Sequence, residues 1–220
     1  GAKMPVVVHL ARQPGVRHSL SNPHSYLSAN IDAFLNLLEG CRHAGCEHFL
    51  YASSSSVYGA NSKVPFSTGD TTDHPVSLYG ATKKANELMA HAYAHLFGFP
   101  TTGLRFFTVY GPWGRPDMAV WLFTQAIMEG RPLKLFNEGR LGRDLTYVDD
   151  VVESIVRLVD KPATADPSWN GSDPSPASSE APWRIYNIGT NVTIEITELV
   201  STIESAVGRT AVRELLPMQP

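Results

Sequence analysis

Short apolar runs alternate with amphipathic segments along this chain, and that alternation limits the folds open to it. Val6–Ala11 and His48–Ala52 are brief, largely apolar runs bounded by polar and turn residues, as in buried parallel strands. Between them lies one helical stripe of apolar residues, at Ile31, Phe34, Leu35 and Leu38. The pattern predicts an α/β fold whose sheet is mainly parallel.

The same alternation continues to the carboxyl end of the chain. Further strands are predicted at 102–107, 133–136, 143–146 and 184–188. Further helices are predicted at 79–96, 119–128 and 196–207, and loops at 13–25 and 60–75. Another helix is predicted to be capped by Asp149 or Asp150 and to run through Val159. Residues 162–182 carry five prolines among many serines and alanines, which predicts a flexible excursion.

Composition excludes several classes of function. Hydrophobic residues make up 43% of the 220 residues and charged residues 18%, the balance of an ordinary globular protein. A net charge of −3 gives no basic face for nucleic acid, and no apolar run approaches the ~20 residues that cross a bilayer. Cys41 and Cys46 are expected to be reduced thiols of a cytoplasmic protein. His91 and His95 lie one helical turn apart without a third ligand, so no metal site is predicted.

Tyr79 and Lys83 are the strongest chemical signal, because a spacing of four places both side chains on one helix face. A tyrosine has a pKa near 10, and bringing it to about 7 requires roughly 4 kcal/mol of stabilisation of the anion. An ammonium one turn away in a partly dry site acts in that direction. A Tyr-x-x-x-Lys match alone is common, so the pair needs support from elsewhere in the chain.

That support comes from four consecutive serines, Ser53–Ser56, at the carboxyl end of a predicted strand. Ligands of doubly wound sheets bind at this edge. The serines are either a solvated loop or an array of donors over a pocket, and the Tyr79–Lys83 pair downstream favours the array.

Three segments together carry a family resemblance. They are Tyr51–Gly59 (Tyr-Ala-Ser-Ser-Ser-Ser-Val-Tyr-Gly), Tyr79–Lys83 (Tyr-Gly-Ala-Thr-Lys) and Leu104–Pro112 (Leu-Arg-Phe-Phe-Thr-Val-Tyr-Gly-Pro). In order and spacing the chain resembles the extended short-chain dehydrogenase/reductases that modify nucleotide sugars. Within them it is most similar to the UDP-glucuronate 4-epimerases. The resemblance covers nearly the whole chain.

The resemblance implies a Rossmann-like doubly wound sheet, NAD as cofactor and a UDP-sugar as substrate. It implies that Tyr79 exchanges a proton with the sugar 4-hydroxyl, that Lys83 lowers the pKa of Tyr79 and holds the nicotinamide ribose, and that Ser54 bridges Tyr79 and the substrate. Further cofactor contacts are implied at Leu10, Ala11, Gln13, Asn30, Ala52, Ser53 and Phe106. Further substrate contacts are implied at Ser55, Ser56, Thr108, Arg115, Phe136 and Arg143.

The resemblance also implies a division of the chain and a reaction. Residues 1–112 correspond to the carboxyl-terminal part of the NAD-binding domain. Residues 113–220 are mostly a small α/β substrate-binding part, with elements that return to the sheet. The reaction implied is transfer of hydride from sugar C4 to NAD, rotation of the 4-keto intermediate, and return of the hydride to its other face. Related dehydratases and decarboxylases carry carboxylates where this chain has Ser55 and Ser56, so epimerisation is favoured.

Arg115 is the residue that distinguishes a uronate from a neutral sugar, because a guanidinium binds a carboxylate through two hydrogen bonds. In the resembling family this arginine faces the uronate carboxylate. A neutral UDP-hexose substrate would make Arg115 dispensable, and a loop arginine satisfied by backbone carbonyls is the structural alternative.

The chain also departs from the family pattern. It has no Gly-x-x-Gly-x-x-Gly turn, which implies that the first β-α-β units of the family sheet are lacking and that Val6–Leu10 is the fourth strand. Arg12 stands where the family usually has alanine, either against the cofactor or pointing outward. A non-catalytic remnant that forms a homodimer through helices 30–42 and 79–96 is therefore a further alternative.

Overall fold

The structure is a computed structural model that describes residues 5–217. The strands are β1 (Val6–His9), β2 (His48–Ser54), β3 (Thr101–Phe106), β4 (Thr108–Tyr110), β5 (Leu133–Phe136), β6 (Gly142–Tyr147), β7 (Trp183–Ile188), β8 (Thr193–Glu195) and β9 (Arg213–Leu216). The helices are α1 (His18–Ser21), α2 (Pro23–Tyr26), α3 (Ala33–Ala44), α4 (Leu78–Phe97), α5 (Ala119–Glu129), α6 (Val148–Val159) and α7 (Ile196–Val207). A π-helical turn, Leu27–Asp32, leads into α3.

The described residues form two compact units. The first comprises the chain up to Phe107 together with Glu153–Ile188, and the second comprises Thr108–Val152 and the chain from Gly189 onward. The chain leaves the first unit after Phe107, whereas the sequence analysis places the change after residue 112. The reason is that β4 pairs with β6 of the second unit.

The first unit is built on a parallel sheet in the order β1-β2-β3-β7. Every residue of β2 and β3 is buried, because these two strands lie inside the sheet and are covered on both faces. The predicted α/β fold with a mainly parallel sheet is confirmed. The carboxyl ends of β1, β2 and β3 lie at one edge, and the predicted site residues Leu10, Ala11, Ser53, Ser54 and Phe106 lie in or directly after these strand ends.

Helices α3 and α4 pack their apolar sides on this sheet, against Phe49 and Tyr51 of β2. The buried stripe of α3 is Phe34, Leu38 and Cys41, whereas Leu35 is 40% exposed. Phe34 and Leu38 of the predicted stripe are therefore confirmed as core residues, whereas Leu35 lies at the exposed margin of the stripe and Cys41 extends it. The loop predicted at 13–25 contains two short helices, α1 and α2, which have only four residues each and no apolar periodicity.

Residues 162–182 contain turns and one isolated bridge, from Ser178 to Arg184, but no helix. The carboxyl-terminal part of this excursion is nevertheless anchored, since Ala177, Ser178, Ser179 and Ala181 are buried. The Oγ of Ser179 also pairs with Nε2 of His91 on α4 at 2.9 Å. Composition predicted the lack of regular structure and gave no sign of these buried contacts.

The second unit contains the strand sets β4-β6-β8 and β5-β9. Strand β8 is antiparallel to β6, and the other pairs are parallel. Its core packs α5 and α7 on β5, through Ile127, Leu133, Leu135, Leu199, Val200 and Ile203. Strands β4, β8 and β9 were not predicted, because they are only three or four residues long and none of their residues is fully buried. Among the described residues no helix has both the length and the apolar character to cross a membrane.

Candidate active site

Helix α4 begins at the carboxyl edge of the sheet and carries Tyr79 and Lys83. The Ser77 hydroxyl caps its first turn by accepting a hydrogen bond from the Gly80 amide at 3.0 Å. Gly80 then packs against the backbone of Ser56, since a Cβ at Gly80 would lie 2.7 Å from the Ser56 carbonyl oxygen. The start of α4 and the serine segment are therefore in direct contact, as the predicted site requires.

Tyr79 is 5% exposed, and its ring meets the ring of Tyr26 edge-on at 6.2 Å. Tyr26 is itself held by its hydroxyl, which donates to the carbonyl oxygens of Pro14 and Gly15. The hydroxyl of Tyr79 has no hydrogen-bond partner among the residues that the structure describes. The ring is thus fixed by packing while its hydroxyl remains available to a ligand.

Lys83 is 1% exposed, which is rare for an ammonium group. Burial, together with the charge of Arg12 and against that of Glu87, lowers the pKa of Lys83 to about 7. Within the described part of the chain its ammonium makes one hydrogen bond, a long one of 3.3 Å to Oδ1 of Asn86. An ammonium has three donors, so Lys83 has unused capacity for hydroxyl acceptors of a ligand.

The four serines do not share one environment. Ser53 is fully buried, and its hydroxyl donates to Oε1 of Glu87 at 2.5 Å. Ser54, at 8% exposure, accepts a hydrogen bond from the Ser56 amide at 3.2 Å and donates to the Ser56 hydroxyl at the same distance. Ser55 and Ser56 are half-buried. The hydroxyls of Ser54, Ser55 and Ser56 are therefore the three that a substrate can reach, whereas that of Ser53 is committed to Glu87.

The loop after β1 is held in place by Asn30 of the π-helical turn. Oδ1 of Asn30 accepts from the Gln13 amide at 2.8 Å, and its Nδ2 donates to the Gln13 carbonyl at 3.1 Å. The same Nδ2 donates to Oγ1 of Thr82, and the Asn30 carbonyl accepts from Nδ2 of Asn86 at 2.6 Å. Asn30 thus ties the predicted cofactor loop to the helix that carries Tyr79 and Lys83.

Other predicted cofactor residues lie at the same edge of the sheet. Leu10 and Ala11 follow β1 and are exposed, whereas Ala52 on β2 and Phe106 at the end of β3 are buried. Arg12 is half-buried, and its positive charge is one of the causes that lower the pKa of Lys83.

The predicted substrate residues of the second unit fall into two groups. Thr108 and Arg115 line one cavity of about 130 Å³, whose other walls include Met118 and Trp121. The Arg115 guanidinium is bound by Asp117, with Nε 3.0 Å from one carboxylate oxygen and Nη2 3.2 Å from the other. A carboxylate, rather than backbone carbonyls, thus satisfies Arg115.

Phe136 and Arg143 do not line that cavity. Phe136 ends β5 and is half-buried, and Arg143 of β6 is exposed, with Nη1 donating to the Gly142 carbonyl at 2.9 Å.

Sequence reasoning missed the buried polar residues behind the serines and α4. Glu87 and Arg105 form an ion pair that is almost completely shielded from solvent, and Tyr58 and Asn187 extend it. One signal was available. Arg105 is a charged residue within an otherwise uncharged strand, and a charge in that position requires a buried partner. Among the described residues no group of three or more His, Cys, Asp or Glu side chains is arranged to hold a metal ion.

A parallel sheet with a Tyr-x-x-x-Lys helix at its carboxyl edge is the arrangement that the resemblance to the short-chain dehydrogenase/reductases implies. Residues 2–200 match the NAD dependent epimerase/dehydratase family, and the chain belongs to it. Within that family the chain is most similar to the UDP-glucuronate 4-epimerases, and the predicted family is confirmed.

Individual relatives agree with this assignment. The chain is 56% identical over 215 residues to Protein CapI of Staphylococcus aureus, covering 98% of this chain and 64% of that protein. It is 50% identical to a probable UDP-glucuronate 4-epimerase of Rhizobium meliloti (strain 1021), covering 99% of this chain and 64% of that protein. The chain therefore spans slightly less than two thirds of these relatives.

A solved structure matches the fold as well. It is UDP-glucuronic acid 4-epimerase from Bacillus cereus in complex with UDP-glucuronic acid and NAD, with a TM-score of 0.81 and 33% identity. The match covers 99% of this chain and 64% of that one.

Proposed function

We propose that this chain carries the proton-transfer site of an NAD-dependent 4-epimerase of UDP-uronic acids, which interconverts UDP-glucuronate and UDP-galacturonate. The observation that carries the proposal is the pairing on α4 of two groups. The Tyr79 hydroxyl has no hydrogen-bond partner in the described part of the chain, and the buried Lys83 ammonium makes one long hydrogen bond there. Such an arrangement is suited to moving a proton at a substrate hydroxyl.

The residues present fit NAD. Lys83 has free donors for ribose hydroxyls, and the loop at Gln13 is fixed through both backbone groups to Asn30. In this proposal the cofactor is held by Leu10, Ala11, Gln13, Asn30, Ala52, Ser53, Tyr79, Lys83 and Phe106. Since the Ser53 hydroxyl is bound to Glu87, Ser53 would contribute through its backbone. NAD supplies reversible acceptance of a hydride when bound.

Tyr79 then removes the proton of the sugar 4-hydroxyl and later returns it. Lys83, one turn along the helix, stabilises the anionic form of the phenol by its positive charge. Ser54 lies at the end of β2 and hydrogen-bonds the same substrate hydroxyl, which orients it towards Tyr79. Ser55 and Ser56 offer further hydroxyls without a titratable carboxyl, which favours epimerisation over elimination or decarboxylation.

The choice of a uronate rests on Arg115, with Thr108, Phe136 and Arg143 as further substrate contacts in the second unit. The Arg115–Asp117 pair is partly exposed, with 40% and 65% of the two side chains accessible, and such pairs contribute little free energy. A substrate carboxylate therefore competes with Asp117 at small cost. The same pair also favours a second candidate, a neutral UDP-hexose, because Asp117 already satisfies the guanidinium.

The proposal extends to the assembly and the compartment. It includes a homodimer formed through α3 and α4, on which several apolar side chains are exposed: Leu35, Leu37, Leu88, Leu96 and Phe97. Two free cysteines fit a reducing cytoplasm.

The experiment uses the 220-residue chain. NAD is titrated by calorimetry, and UDP-glucuronate and UDP-glucose are each followed by proton NMR for the appearance of the C4 epimer. We expect NAD binding and epimerisation of UDP-glucuronate. Turnover of UDP-glucose alone would establish the second candidate. NAD binding without turnover of either sugar would reduce the chain to a non-catalytic member of the family.

A further inference from the structure

Glu87 of α4 and Arg105 of β3 form a two-pronged ion pair inside the first unit. Nε and Nη2 of Arg105 donate to Oε1 and Oε2 of Glu87, both at 2.9 Å. The side chains are 0% and 1% exposed. Their charges are thus removed from water almost completely, and the fork of the guanidinium matches the carboxylate in the geometry that gives the strongest such pairs.

The pair is connected to segments that carry the proposed site. Oε1 of Glu87 also accepts the hydroxyl of Ser53, the residue before Ser54. On the helix, Glu87 lies one turn beyond Lys83. On β3, Arg105 directly precedes Phe106. One buried carboxylate therefore joins β2, β3 and α4 within a few residues of each proposed group.

The far side of Arg105 reaches a third segment. Its Nη1 donates to the hydroxyl of Tyr58 at 3.1 Å, and that hydroxyl donates to Oδ1 of Asn187 on β7 at 2.6 Å. Nδ2 of Asn187 then donates to the Phe66 carbonyl of the long loop at 2.9 Å. Tyr58 closes the short helical turn that contains Ser55 and Ser56. The serine segment is therefore held at both of its ends by this network.

Stability alone does not explain such a network. Moving two charges out of water is expensive, and replacing a buried ion pair by apolar residues of similar volume is often neutral or stabilising. Unlike an apolar pair, the ion pair makes directional hydrogen bonds, and each of them fixes the angle and the distance to its partner. The Ser53 hydroxyl and the Tyr58 hydroxyl both depend on it.

We propose that Glu87 and Arg105 are positioning residues of the epimerase site: their ion pair sets the serine segment, Ser54 above all, at a fixed distance from the face of α4 that carries Tyr79 and Lys83. This inference rests on the proposed function for its catalytic consequence. Its structural part, the immobilisation of the serine segment, is independent of any activity.

The test replaces both charges at once, as Glu87→Met with Arg105→Met, so that no unpaired charge is left buried. We expect thermal stability close to that of the parent chain, because the gain from removing a buried ion pair offsets the loss of the acceptor of the Ser53 hydroxyl. We expect kcat to fall about 10²-fold with little change in KM, because a small misplacement of a catalytic group has an effect of that size. Hydrogen exchange of the Ser55 and Ser56 amides is expected to accelerate about tenfold, as for the loss of one hydrogen bond.

Two further variants keep the inference testable if the double variant fails to fold. Ser53→Ala removes the link between the serine segment and Glu87 while the ion pair remains, and it should give the same pattern at smaller amplitude. Arg105→Lys keeps the charge without the two-pronged geometry, and it should fall between the parent chain and the double variant. The matched control is Glu153→Gln with Arg157→Gln, an exposed pair on α6, which should change neither measurement.

The outcomes separate the two proposals. If the parent protein turns over no UDP-sugar, the proposed function fails, and amide exchange alone decides the inference. Unchanged exchange at Ser55 and Ser56 in a folded double variant, or unchanged kcat where the parent is active, would show that the pair is merely structural. Faster exchange together with lower kcat at preserved stability supports its role in positioning.

Discussion

Gly80 of α4 touches the backbone of Ser56, and this contact leaves no room for a side chain. A Cβ at position 80 would lie 2.7 Å from the Ser56 carbonyl oxygen and 3.2 Å from the Ser77 hydroxyl oxygen. The closeness of the helix to the serine segment, on which the proposed site depends, therefore requires glycine immediately after Tyr79.

The first prediction concerns that contact. Gly80→Ala should destabilise the protein by about 1–3 kcal/mol, because overpacking against backbone outweighs the better helix propensity of alanine. Gly40→Ala is the matched control, since Gly40 also lies within a helix but a Cβ there would meet nothing within 4 Å. It should stabilise by about 0.5–1 kcal/mol. Urea unfolding measures both, and equal shifts of the same sign would contradict the packing argument.

The second prediction concerns the proton-transfer group. Tyr79→Phe should lower kcat by about 10²–10⁴-fold, because only the hydroxyl is lost and general acid–base groups contribute in that range. NAD affinity, measured by calorimetry, should change little. Tyr186→Phe is the control, since Tyr186 is 41% exposed on β7 and away from the serine segment in sequence. Retention of full turnover by Tyr79→Phe would remove Tyr79 from the mechanism.

The third prediction is a pH dependence of stability. The folded-state pKa of Lys83 is about 7 against an ordinary 10.5, so the unfolded chain binds more protons between these two values. The contribution of Lys83 to the free energy of unfolding therefore rises with pH across that window. The destabilisation from burying the charged ammonium is fully present below pH 7. Lys83→Met should be more stable than the parent chain by roughly 2–4 kcal/mol near pH 6.

That difference should shrink as the pH approaches 10. Urea unfolding at pH 6, 8 and 10 provides the measurement, with Lys134→Met as the control because Lys134 is exposed on β5. A difference that grows with pH would reverse the sign of the argument.

The fourth prediction concerns Arg12. Its charge is one of the causes of the lowered pKa of Lys83, second to burial. Arg12→Ala should therefore raise the pKa of Lys83. Lysine side-chain ¹⁵N NMR follows the titration, and the resonance is identified by its absence in Lys83→Met. Arg131→Ala, in the second unit, should leave the titration where it is. An unchanged or lower value in Arg12→Ala would place the guanidinium away from Lys83.

The fifth prediction separates the two candidate substrates. Arg115→Ala should lower kcat/KM for UDP-glucuronate by about 10–10²-fold, as for loss of a charge-assisted hydrogen bond, and should barely affect UDP-glucose. Asp117→Asn should have the opposite effect on the uronate, because it weakens the competitor for the guanidinium. If Arg115→Ala affects both sugars equally, or neither, Arg115 does not read the carboxylate.

The sequence predicts the central sheet well, for a physical reason. Strands β2 and β3 are covered on both faces, so nearly every side chain must be small or apolar, and the run is visible without any partner. Strands β4, β8 and β9 show no comparable run of buried residues in the sequence. They form by pairing with strands distant in sequence, which the sequence pattern does not reveal. Helices α4, α5 and α7 were predicted to within one residue at each end. Helix α6 begins at Val148, so Asp149 and Asp150 lie in its first turn and do not precede it as the predicted cap.

For the site, the sequence predicted which residues take part, but it did not predict the hydrogen bonds between them. Tyr79, Lys83 and the serines stand out by type and spacing. The bonds from Asn30 to Gln13 and from Ser53 to Glu87 join residues 17 and 34 positions apart, so only the folded chain brings them together. The roles of all these residues in catalysis stay predictions until the variants are measured.

The π-helical turn at Leu27–Asp32 combines two arrangements that an uninterrupted α-helix would separate: the hydrogen bonds of Asn30 and the packing of α3 on the sheet. The wider turn amounts to one inserted residue, so it rotates Asn30 towards Gln13 and Thr82 while Phe34 and Leu38 still face the sheet. A deletion of a single residue there would restore α-helical winding. Either the hydrogen bonds of Asn30 or the packing of Phe34 and Leu38 on the sheet would then be lost. Natural variants of this protein should therefore tolerate substitutions in the turn far more readily than any change in its length.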